Sequence, residues 1–130
     1  MATERIYHFV DEGEYEACCS NGSYMPSAFA SDGFIHCSPA HLAAAVATLS
    51  LPGRGGLVLL EIDTEFVGPE ITWETLEGGA NLFPHIYGPL NLDAVVAVHP
   101  FEPEEDGRFE LPSGIASDGS AGPVTPAATP

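Results

Sequence analysis

Polar and apolar residues alternate from position 5 to position 10, and the stretch is rich in strand formers. This predicts a first strand with Ile6, His8 and Val10 on one face and Tyr7 and Phe9 on the other. Asp11 is placed to cap a helix over residues 12–19, where Tyr15, Cys18 and Cys19 recur at helical spacing and Asn21-Gly22 marks the stop. Residues 23–31 read as a loop, and residues 33–37 as a short strand. Ser38-Pro39 has the chemistry of a helix start, serine as cap and proline in the first turn, and predicts a helix running to Leu49. The nearly unbroken apolar run from Leu57 to Ile62 predicts a central strand buried on both faces. Shorter strands are predicted at residues 71–74, 83–87 and 94–98. The order β-α-β-α-β-β-β-β gives an α+β class: one small domain over residues 1–112, with a mixed twisted sheet and two main helices. Residues 113–130 are mostly glycine, serine, alanine, proline and threonine, and are expected to form a disordered tail.

Composition narrows the partners. The chain has 130 residues, enough for one domain, and is 45% hydrophobic, enough for a core. It carries 19 acidic residues against three arginines and no lysine, for a net charge of -16. Nucleic acid and anionic membranes need clustered lysine and arginine, so neither is an expected partner. A small-molecule partner is expected, and even an anionic one can be held by backbone N–H groups. The odd count of three cysteines points to free thiols in a reducing cytoplasm. No basic-then-apolar leader opens the chain, and no apolar run reaches the ~18 residues of a membrane span. A monomer or weak homodimer is expected.

Candidate chemistry sits in three histidine blocks: Ile6-Tyr7-His8, Asp32-Gly33-Phe34-Ile35-His36-Cys37-Ser38 and Phe83-Pro84-His85-Ile86-Tyr87-Gly88-Pro89-Leu90. A histidine in a strand, such as His8, is more often a hydrogen-bonded structural residue than a catalytic one. Ser38 either caps its helix or faces a ligand beside His36. His85 and Tyr87 form either a rigid aromatic edge or a pocket wall. Glu74 follows Trp73, and a carboxylate buried beside an aromatic has a raised pKa. Cys37 adjoins His36, but strand neighbours point to opposite faces, so a thiol nucleophile needs His8 or His85 as its base. Metal-ligand spacing is absent, and Gly53-Arg54-Gly55-Gly56 is a turn rather than a phosphate loop.

These blocks, with Leu59-Leu60-Glu61-Ile62-Asp63 and Trp73-Glu74, resemble the bacterial and plant domain-of-unknown-function family 952 over residues 6–112. The layout is more distantly similar to the ADP-ribosyltransferase fold, particularly the catalytic half of RNA 2′-phosphotransferases. That resemblance implies that His8 hydrogen-bonds the ribose of NAD or ADP-ribose, which is then a substrate and not a resident cofactor. It implies that His36 and Ser38 line the nicotinamide or phosphate side, with Tyr7, His85 and Tyr87 also at the ligand. The third catalytic motif is either Glu74 or the His85–Tyr87 block. RNA phosphate transfer is not expected, because the RNA-binding lobe and the motif arginines are missing.

Three readings follow. An NAD-utilising transferase needs His8, His36 and the third block, Glu74 or His85–Tyr87, on one cleft. A non-catalytic binding module needs the cleft without the carboxylate. A Cys/His hydrolase needs an accessible Cys37 with a histidine in reach.

Overall fold

The computed structural model describes residues 4–75, 79, 81–112 and 115. The alternating N-terminal stretch forms β1 (Arg5–Asp11). Asp11 caps α1 (Glu12–Cys18), its Oδ1 accepting from the Glu14 N–H at 3.2 Å. Asn21 and Gly22 both have positive φ, 53° and 81°. They make the turn of a hairpin between β2 (Cys19–Ser20) and β3 (Ser23–Tyr24), so this Asn-Gly pair joins two strands and does not end a helix. The expected loop that follows also contains a single helical turn, α2 (Phe29–Asp32).

The strand predicted at residues 33–37 is reduced to β4 (Ile35–His36), and a further strand, β5 (Ser38–Pro39), stands where the helix start was expected. Ser38 does not cap a helix. It pairs with Tyr7 in the ladder, and α3 (Ala40–Ser50) has Pro39 at its N-cap with no side-chain cap bond. The apolar run forms β6 (Leu57–Asp63) as expected. β7 (Ile71–Thr75), β8 (Leu82–Ile86), β9 (Leu90–Asn91) and β10 (Val95–Phe101) complete the order.

The strands form three sheets, ordered β10-β6-β1-β5, β2-β3-β9 and β4-β8-β7. Every neighbouring pair is antiparallel, which corrects the expected mixed sheet. β5 and β6 do run in the same direction and are joined by α3, as in a parallel crossover. β1 lies between them and opposes both.

Each face of the β1–β6 pair carries its own core. Ile6, Val10, Leu60 and Ile62 pack with Tyr24, Ile35 and Ile86 on one side. Tyr7, Leu57, Leu59 and Phe101 meet Ala40, Ala43 and Ala47 of α3 on the other, where small side chains let the helix lie close. Among the described residues no helix is long and apolar enough to cross a membrane. The expected tail, residues 113–130, lies outside the described residues except for Ile115.

Candidate functional site

The site lies where β1 runs out of cover. β5 pairs with β1 only at Ile6 and Tyr7. Pro39, which has no N–H, sits opposite Ile6. The Glu12 N–H bonds the Gly56 carbonyl at 2.9 Å, in line with the β1–β6 register, so even-numbered positions of β1 turn their backbone polar groups toward β6. Phe9 turns its own the other way, past the end of β5. A pocket of about 90 Å³ opens there, walled by Tyr7, His8, Phe9, Ser38, His36 and His85. A second hollow of about 220 Å³ shares His8, Phe9 and His36 and extends to Phe34, Asp11, Glu14 and Arg54.

His8 projects from the core face of β1 and is almost fully enclosed, so both ring nitrogens need partners. Nδ1 lies 2.6 Å from the His36 carbonyl, which can only accept, so Nδ1 carries the proton. Nε2 then accepts from the buried Tyr24 hydroxyl at 2.7 Å. Burial lowers the His8 pKa to about 4 and pushes the Tyr24 hydroxyl up. His8 is therefore neutral, and both of its nitrogens are used by the protein.

His85 is held differently. Its Nδ1–H is donated to Glu74 Oε1 at 2.7 Å, and the Tyr87 hydroxyl donates to the same oxygen at 2.6 Å. The Tyr87 bond first, and then the His85 bond, hold the Glu74 carboxyl below the usual range. The carboxylate in turn pushes the Tyr87 hydroxyl up. Thr72 lies opposite His85 and Glu74 opposite Phe83, so Glu74 is a diagonal neighbour of His85 on one face of β7–β8. In the neutral imidazole, a proton held on Nδ1 leaves Nε2 with a lone pair. Nε2 is buried and has no hydrogen-bond partner among the described residues, and His85 itself is 3% exposed. Phe34 stacks on the imidazole at 4.1 Å, and the His36 ring meets it edge-on at 5.3 Å.

His36 is half-exposed, its Nε2 2.9 Å from Asp32 Oδ2 across the Gly33 turn. The fold thus gathers Tyr7, His8, His36, Ser38 and His85 around one pocket. Glu74 and Tyr87 stand behind His85 and line neither hollow. Cys37 packs into the core at 4% exposure while also lining the pocket, and burial pushes its thiol up, which disfavours the thiolate that a Cys/His hydrolase needs. Sequence reasoning missed Tyr24, Phe34 and Asp32. Asp32 carried a signal, since it stands four residues before His36 with a glycine between. Tyr24 carried none, because its hairpin meets His8 only in the folded chain.

The family model described as "Protein of unknown function (DUF952)" matches residues 9–98. The chain belongs to this family. It is similar to protein CC0527 of Caulobacter crescentus, whose crystal structure is 31% identical in sequence at a TM-score of 0.73. That match covers 82% of this chain and 94% of the other. The solution NMR structure of CC0527 superposes at a TM-score of 0.68 with 32% identity, covering 80% of this chain and 90% of the other. No curated protein matches. The matched segment contains Phe9, His36, Ser38 and His85 of the pocket wall, and Tyr7 and His8 lie immediately before it.

Proposed function

We propose that this DUF952 protein binds a compact organic molecule in the cleft at the open edge of β1, with a polar hydrogen of that ligand donated to His85 Nε2. The observation that carries this reading is the orphaned nitrogen. A buried polar atom without a partner costs about 1–3 kcal/mol, and a ligand donor removes that cost. Glu74 fixes the tautomer that leaves Nε2 an acceptor. Tyr7, Phe9 and Phe83 supply apolar wall, which suits a small ligand with few polar points.

A second reading is that the ligand is NAD or ADP-ribose, handled on an ADP-ribosyltransferase-like fold. One observation favours it: the two hollows meet at His8, Phe9 and His36, so the cleft is longer than a single ring. Two observations favour binding over transfer. Glu74 is not on the cleft wall, where a developing oxocarbenium ion would need a carboxylate. His8 has no ring nitrogen left for a ribose hydroxyl.

A thermal-shift titration with nicotinamide, AMP, ADP-ribose and NAD, run beside a library of small neutral fragments, tests both. A ligand at 100 times its Kd stabilises by roughly 2.7 kcal/mol. The expected result is a shift in the parent chain that is lost in His85→Gln. A shift that survives that substitution, or none with any compound, counts against the site. Nicotinamide release from NAD would establish cleavage, and ADP-ribose found on an acceptor would establish transfer.

A further inference from the structure

We infer that Ser38 is a nucleophile served by the His85–Glu74 pair, which makes the cleft an acyl-transfer site for small esters or thioesters. The inference rests on the ligand cleft proposed above and adds a reaction to it.

The register supplies the geometry. His36 pairs with His85, and the Cys37 N–H bonds the Pro84 carbonyl at 3.1 Å, so the pairing continues past β4 and sets Ser38 opposite Phe83. Residues 36 and 38 then share a face with 83 and 85, and Ser38 is the diagonal neighbour of His85. Diagonal neighbours across antiparallel strands lie about 7–8 Å apart, a gap that a long ring side chain such as that of His85 can span. Both residues line the same 90 Å³ pocket. Ser38 is released from the helix-cap role that its sequence suggested. The buried Nε2 is unpartnered, and the bond that would join it to a nucleophile often forms only when substrate arrives.

Serine, histidine and carboxylate thus stand in the order that activates a hydroxyl. As Ser38 Oγ bonds the acyl carbon, its proton passes to His85 Nε2. Glu74 stabilises the imidazolium through Nδ1–H. The acyl carbon's bond to the alcohol or thiol breaks, and the leaving group takes the proton from Nε2. Water then attacks the acyl carbon, gives a proton to Nε2, and the acid departs as that proton returns to Ser38. The Phe9 N–H, which the register turns toward the cleft, is the candidate donor for the oxyanion. The hollow beside Ser38, about 90 Å³, suits a short acyl part.

The test uses two probes of different size, a fluorophosphonate and p-nitrophenyl acetate, with the modified residue located by peptide mass spectrometry. Label on Ser38 is expected, absent in Ser38→Ala and slowed on the order of 100-fold or more in His85→Gln and Glu74→Gln. Melting curves confirm that each variant is folded. Failure of both probes to modify Ser38 in the folded parent chain overturns the inference, as does labelling at an unchanged rate in His85→Gln. A His85-dependent thermal shift with an inert Ser38 would leave the ligand site standing and remove only the nucleophile.

Discussion

His8 and His85 occupy one pocket wall and do opposite things. Sequence places both in aromatic strand contexts, and nothing local distinguishes them. The distinction comes from what folds against each: Tyr24 closes the second nitrogen of His8, whereas Nε2 of His85 meets only pocket. A pH consequence follows for His8. Its folded pKa of about 4 lies below the ordinary 6.5, so the unfolded chain binds a proton that the fold excludes. The stability it contributes is present above about pH 6.5 and is lost as pH falls toward 4, by up to about 1.4 kcal/mol per pH unit. In His8→Gln, urea denaturation between about pH 5 and 6.5 should give a correspondingly flatter stability profile than the parent chain. Parallel profiles would contradict the neutral, enclosed His8.

At the level of elements, the strands with a clear pattern were legible: the alternation of β1, the apolar run of β6 and the Asp11 cap of α1 all appear as read. Short elements were not. Ser38-Pro39 has the local chemistry of a helix start, but pairing with β1 recruits Ser38 into a strand and delays α3 to Ala40. That two-residue strand sets where the cover over β1 ends, and so where the pocket opens. Gly88 shows a similar tertiary demand. The neighbour that its missing side chain admits is Pro69: a Cβ at Gly88 would lie 2.9 Å from the Pro69 Cβ. Gly88→Ala should therefore destabilise by about 1–3 kcal/mol in chemical denaturation, through overpacking between the β8–β9 link and the segment before β7. A loss below about 0.5 kcal/mol, the range of an ordinary surface substitution, would show that the contact yields freely.

The whole molecule places its chemistry at a seam between sheets. β1 and β5 bring Tyr7, His8 and Ser38 from one sheet, and β4 and β8 bring His36 and His85 from another. Convergence of three histidine blocks was visible in the sequence as a shared aromatic character. The antiparallel arrangement and the retreat of Glu74 behind His85 depend on registers that no local pattern encodes. The central claim is that His85 Nε2 is an unprotonated acceptor waiting for a ligand. Its most direct test is NMR of isotope-labelled histidine side chains during titration with small neutral fragments. A proton on Nδ1 and a free Nε2 are expected at His85, with saturable shifts there on binding and none at His99, which lies on β10, the edge strand opposite β5, and is held by Glu61. A proton resident on Nε2 before any ligand is added, or fragment binding that leaves His85 unmoved, would contradict it.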